Sequence, residues 1–139
     1  MASALIDASA MVALFGVREK AATRYLELLE LAALERWSLS TTWPCVVEAS
    51  YLVPPPNRFA LLGWLGNNGV SVFPFQQETL LELIPLMQRY TEQPRTEMDL
   101  ADASLVWLAM ETGVTTIMTT DVRDFSRYRL PDGRGFDIL

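Results

Sequence analysis

The chain has 139 residues, half of them apolar, and 17 acidic against 11 basic side chains give it a formal charge of −6 at pH 7. That length suits one domain spanning residues 1–139, large enough to bury a core without disulfides, and the lone Cys45 has no partner for an internal one. Histidine is absent, which excludes Ser-His-Asp triads, histidine acid–base catalysis and zinc sites built from His and Cys, and leaves any chemistry to carboxylates, hydroxyls and arginines.

No apolar run approaches the ~20 residues of a membrane span, and the first residues lack the basic and long apolar segments of a secretory signal. A cytoplasmic protein with no membrane partner is expected. The negative charge argues against binding a polyphosphate, yet Arg123, Arg127, Arg129 and Arg134 crowd one C-terminal segment. A divalent cation held by acids would reverse the local sign.

In chain order, Ala4-Leu5-Ile6 is a short apolar strand that meets Asp7 and passes at once into a helix, Ala10 to Phe15, stopped at Gly16. Asp7 therefore stands where a buried strand ends and a helix begins. It either caps that helix or points into the crevice beyond the strand ends, where open parallel sheets bind ligands. Glu19 to Leu34 repeats apolar residues at helical spacing with Glu27 and Glu30 on a solvated face. Trp37 to Thr41 predicts a strand, and Thr41-Thr42-Trp43-Pro44 predicts a hydroxyl-capped helix with proline in its first turn. Glu48 lies on that helix among Cys45, Val46, Val47, Ala49, Tyr51 and Leu52. A carboxylate in such company is raised in pKa, paired or bound to something, unless it simply faces solvent.

Pro54-Pro55-Pro56 breaks the helix, Arg58 to Leu65 makes the next, and Gly66-Asn67-Asn68-Gly69 ends it. Val70 to Phe73 predicts a third strand, and Gln76 to Thr91 a long amphipathic helix with a bend at Pro85. The segment opening at Met98 places Asp99 and Asp102 three apart on one face of the first turn of a strongly apolar helix, which Gly113 ends. Capping accounts for most of Asp99. Asp102 sits at the acidic end of a helix too apolar to be exposed. Thr115 to Asp121 is a β-branched run closing on another aspartate, and Tyr128 to Leu130 with Gly135 to Leu139 predicts an edge strand around Pro131-Asp132-Gly133.

Strands alternating with helices predict an α/β fold, a three-layer α/β/α domain around a mainly parallel sheet of 4–5 strands, with Asp7 and Asp121 as neighbours at its carboxyl edge. With Glu48 and Asp102, four carboxylates converge on one crevice. Their mutual repulsion calls for a hard divalent cation, Mg²⁺ or Mn²⁺.

The sequence resembles the PIN domains and, among them, the VapC-type toxins of bacterial toxin–antitoxin systems. The resemblance rests on Leu5-Ile6-Asp7-Ala8-Ser9, on Val47-Glu48-Ala49-Ser50-Tyr51-Leu52, on Asp99-Leu100-Ala101-Asp102-Ala103-Ser104, and on Thr119-Thr120-Asp121-Val122-Arg123-Asp124-Phe125. It implies that Asp7, Glu48, Asp102 and Asp121 are the catalytic, metal-binding acids of a Mg²⁺- or Mn²⁺-dependent endoribonuclease. Asp99 and Asp124 become outer contributors, Ser9 and Thr119 polar support, and the products carry 5′-phosphate and 3′-hydroxyl ends. Ala8 departs from the pattern, in which a threonine is frequent. Arg123, Arg127 and Arg129 are candidates for RNA phosphate contacts, or ordinary surface residues. A VapB-type antitoxin is the implied partner, its helix seated in an apolar groove of Tyr51, Leu52, Phe59, Leu62 and Trp64. Some of that surface would instead serve a homodimer.

Other readings lack their residues. A haloacid-dehalogenase-type phosphatase needs an acid two residues beyond Asp7, where Ser9 stands; a receiver module needs a lysine near the last strands, and the only lysine is Lys20. Dinucleotide binding needs a glycine-rich turn where Ala8-Ser9-Ala10 stands. A PIN-like binding module of RNA or protein without useful activity is the alternative from a different class.

Overall fold

The computed structural model describes residues 2–16 and 22–139. Five strands form one sheet: β1 (Ser3–Ile6), β2 (Ser38–Thr42), β3 (Ser71–Phe73), β4 (Thr116–Met118) and β5 (Asp137–Ile138). Their order is β3-β2-β1-β4-β5 and every pairing is parallel. Helices flank the sheet: α1 (Ala8–Phe15), α2 (Ala22–Leu34), α3 (Trp43–Leu52), α4 (Asn57–Gly66), α5 (Leu80–Arg89), α6 (Leu100–Thr112) and the single turn α7 (Val122–Phe125). The expected three-layer α/β/α arrangement is the one observed.

A parallel sheet covered on both faces needs strands that are apolar on both sides. Leu5, Ile6, Ile117 and Met118 meet that need and are fully buried. The register sets Ile6 beside Met118, and the Asp7 N–H donates to the Met118 carbonyl at 3.2 Å, so the ends of β1 and β4 lie side by side. Chain order reverses at this pair: β1 has β2 on one side and β4 on the other. A crevice opens at such a switch point because successive crossovers leave in opposite directions.

The core spreads from β1 and β4 into α6, where Ala101, Ala103, Ser104, Leu105, Val106, Leu108 and Ala109 are all buried. A helix apolar around its whole circumference can be stable in water only when enclosed. Gly113 ends it in the left-handed region, φ 75°, which glycine enters without a Cβ penalty. Another glycine is fixed by packing: a Cβ at Gly69 would overlap the Trp64 indole, so the turn from α4 into β3 depends on its bare backbone.

Several local expectations need correction. Helix α1 begins at Ala8, immediately after Asp7, rather than at Ala10. The expected start of the second helix at Glu19 lies outside the described residues. Thr42 occupies the cap position of α3, but its hydroxyl pairs with Ser104 Oγ at 2.6 Å instead of capping, while Thr41 Oγ1 donates to the Ile6 carbonyl. Both hydroxyls are buried, and tertiary partners satisfy them better than the helix end does. The amphipathic stretch from Gln76 splits into a 3₁₀ turn, Gln77–Thr79, and α5, which stops at Arg89 with Pro85 inside. Tyr128 to Leu130 forms no strand: Leu130 closes a turn with Arg134, and only Asp137–Ile138 joins the edge of the sheet.

Candidate metal centre

Asp7 is buried to 4 % exposure at the end of β1, and three donors hold its carboxylate. The Ala10 N–H reaches Oδ1 at 2.9 Å, Ser9 Oγ donates to the same oxygen at 2.6 Å, and Thr119 Oγ1 donates to Oδ2 at 2.5 Å. Asp7 is therefore both the cap of α1 and a crevice acid, two roles that one geometry combines. Ser9 Oγ also accepts from the Thr120 N–H, and Thr119 Oγ1 from the Asp121 N–H, each at 2.9 Å. This lattice ties the turn after β1 to the turn after β4. Burial pushes the Asp7 pKa up against the opposing pull of its hydrogen bonds.

Across the crevice, Asp99 caps α6 by accepting from the Asp102 N–H at 2.8 Å, as its position in the first turn requires. Asp102, one turn on, is half-buried and accepts from the Tyr128 hydroxyl at 2.8 Å. Its pKa is pushed up to about 8, first by burial and then by the charge of Asp99. Asp121 caps the single turn α7 by accepting from the Asp124 N–H, and burial raises its pKa too. Glu48, from the middle of α3, is raised by burial and by the charges of Asp99 and Asp7.

Asp102, Asp121 and Asp124 each offer a carboxylate oxygen within 4.8 Å of the others. Asp124, expected as an outer contributor, thus lies beside Asp102 and Asp121. The reason is local: α7 makes Asp121 and Asp124 neighbours three apart on one turn. Asp7 and Glu48 line the same cavity, of about 190 Å³, without joining that tight trio. Among the described residues seven acids line it, Asp7, Glu48, Glu97, Asp99, Asp102, Asp121 and Asp124, and no basic side chain does. Arg127 neutralises one edge, pairing with Asp124 at 3.1 Å. An all-oxygen donor set with this surplus of negative charge suits a hard divalent cation.

The arginines divide. Arg127 is committed to Asp124 and lies over the rings of Tyr90 and Tyr128, and Arg129 donates to the carbonyls of Ser126 and Tyr128. Arg123 is exposed on α7, and among the described residues nothing engages its guanidinium. The five residues expected to form an apolar groove stand in different surroundings. Tyr51 and Phe59 are exposed, Leu52 lines the acidic cavity, and Leu62 lines a recess of about 330 Å³ with Trp43. Trp64 is half-buried with its ring 5.4 Å from that of Phe15.

Tyr128 and Glu97 were missing from the sequence reading. Tyr128 is wholly buried, braced edge-on by Tyr90 and Phe125 with ring centres 5.1 Å away, and its hydroxyl is the only donor among the described residues seen on the Asp102 carboxylate. Burial and Asp102 raise its own pKa, so it stays a neutral donor. Hydrogen bonds that aim a metal ligand typically contribute 10–100-fold to affinity. Tyr128→Phe is expected to weaken Mn²⁺ binding by about tenfold in a calorimetric titration; an unchanged affinity would remove Tyr128 from the centre.

The sequence matches the PIN domain family over residues 4–130. The chain belongs to the PIN-domain family. No curated protein matches the sequence. Among solved structures, VapC20 of Mycobacterium tuberculosis, described as a sarcin-ricin loop cleaving toxin, superimposes with a TM-score of 0.70 over 86% of this chain and 91% of its own. At 14% identity, that likeness is one of fold. Among the described residues, no helix is long and apolar enough to cross a membrane.

Proposed function

We propose that this chain is a Mg²⁺- or Mn²⁺-dependent endoribonuclease, the toxin of a cytoplasmic toxin–antitoxin pair. The observation that carries the reading is the trio Asp102, Asp121 and Asp124, three carboxylates within 4.8 Å at the switch point of a PIN-domain sheet. Burial and neighbouring charge raise the pKa of Asp102 and Asp121, and packing anions this closely destabilises the empty site, a cost that a bound cation converts into affinity. The toxin assignment draws on the fold shared with VapC20 and on the sequence motifs.

In this reading Asp102, Asp121 and Asp124 hold the cation, with Asp7 and Glu48 completing the cavity wall. A divalent cation there supplies charge to the scissile phosphate and lowers the pKa of water at the site. Ser9, Thr119 and the Ala10 N–H fix both oxygens of Asp7, so that carboxylate is preorganised and does not reorient as charge develops. Glu48, with its raised pKa and freer side chain, is the group placed to take a proton at Oε from the attacking water. Arg123 faces outward on α7, where it can meet a backbone phosphate without breaking an internal ion pair.

The exposed apolar side chains Tyr51, Phe59 and Leu52 around α3 and α4 offer surface for an antitoxin helix or for a second copy of this chain. The test is direct. Purified protein should cut a mixed RNA pool into fragments with 5′-phosphate and 3′-hydroxyl ends when Mn²⁺ or Mg²⁺ is supplied, EDTA should stop it, and Asp7→Asn should be inactive. Cleavage that persists in EDTA, or in Asp7→Asn, would overturn the proposal.

A further inference from the structure

We propose that a second cavity, confluent with the acidic one, is a nucleobase subsite that holds an unpaired RNA base beside the scissile phosphate, with Trp43 as its stacking platform. The inference rests on the ribonuclease reading. An apolar groove of about 620 Å³ runs between the start of α3, the segment after β3 and the start of α6, walled by Trp43, Val47, Phe75 and Leu100. Glu48, Asp99 and Ala101 line both this groove and the acidic cavity. A polynucleotide whose phosphate sits at the acids therefore lays an adjoining nucleotide against the groove.

Three features select a base as the occupant. Trp43 is 53 % exposed and Val47 64 %, which leaves an indole and a β-branched side chain open to solvent on the first turns of α3. Phe75 packs edge-on against Trp107, ring centres 5.5 Å apart, which braces that side of the groove. The rim carries carboxylates, Glu48 and Asp99, which accept hydrogen bonds from the amino groups of adenine, cytosine or guanine and repel phosphate.

The energetics point the same way. A chain of net charge −6, with Arg127 and Arg129 engaged internally, draws little affinity from the phosphate backbone. Stacking on an aromatic face does not depend on protein charge, and truncating such a platform typically weakens binding by about tenfold or more per base.

The experiment uses the full chain with Mn²⁺ and a short RNA carrying 2-aminopurine at successive positions around a cleavage site. One position should be quenched on binding. Trp43→Ala should abolish that quenching and raise KM about tenfold while Mn²⁺ affinity stays unchanged, and Trp43→Phe should restore most of both. Val47→Glu, on an exposed wall residue, should block the groove even if Trp43→Ala folds poorly. Wild-type quenching and KM in Trp43→Ala would overturn the subsite, as would a Trp43→Ala that alters self-association in sedimentation while leaving RNA binding intact, since the groove would then serve a protein. Quenching without any cleavage would leave the subsite standing and instead defeat the nuclease reading.

Discussion

Asp102→Asn is expected to reduce RNA cleavage more than about a hundredfold, beyond the 10–100-fold typical of groups that merely orient a ligand, and at the same time to make the metal-free protein more heat-stable. The two effects share one cause. In the empty cavity Asp102 faces Asp99, Asp7 and Asp121, and burial with these charges lifts its pKa to about 8. Asparagine keeps the shape and the acceptor for the Tyr128 hydroxyl but carries no charge to be desolvated. It also cannot offer an anionic oxygen to a cation. Asp99→Asn separates the roles: asparagine caps α6 about as well as aspartate, Asp99 is exposed, and it lies outside the tight trio, so only a partial loss of cleavage is expected. Measurement needs a cleavage time course and a thermal melt in EDTA for each variant. Full activity in Asp102→Asn, or equal inactivity in both variants, would refute the ligand assignment.

Much of this architecture is legible in local pattern. The run Leu5-Ile6-Asp7 announces a buried strand ending in a carboxylate, and the length of apolar sequence after Asp102 announces a largely buried helix; both follow from periodicity alone. A mainly parallel sheet followed from alternating elements and the handedness of their crossovers, and the strands described are all parallel. What escaped the sequence lies in pairings between distant residues. Tyr128 meets Asp102 across 26 positions because the chain folds back after α7, and the same residues read more naturally as a strand. The Thr42 hydroxyl is drawn away from its helix by Ser104, 62 residues on. Asp124 joins the trio only because Asp121 starts a helical turn there. The apolar wall of Trp43 and Phe75 exists because β2 and β3 are adjacent and end at the same edge, whereas reading along the chain grouped Trp43's neighbours on α4 into a groove instead.

The metal-free protein should lose stability as pH rises from about 4 to about 8, and Mg²⁺ or Mn²⁺ should restore it most at the upper end. An aspartate titrates near 3.9 when unfolded, and in the folded cavity Asp7, Glu48, Asp102 and Asp121 all titrate higher, Asp102 at about 8. Between those limits the folded state binds more protons than the unfolded state, so unfolding free energy falls with increasing pH. The stabilisation is complete below the unfolded value and lost as pH passes the folded one. Cations compete with those same protons, so their affinity rises over the window in which metal-free stability declines. At a hundredfold excess over its dissociation constant a ligand contributes about 2.7 kcal/mol, which for a chain of this size corresponds to a rise of roughly 8 °C in Tm. Thermal melts at pH 5, 6.5 and 8, with EDTA and with 5–10 mM-range Mg²⁺ (roughly a hundredfold excess for a Kd near 0.1 mM), should show two curves that diverge as pH increases. In Asp102→Asn the metal-free curve should flatten and the gap should close. A metal-free Tm that is level or rising from pH 5 to 8 would mean that the acids are not the strained cluster that their burial and spacing describe.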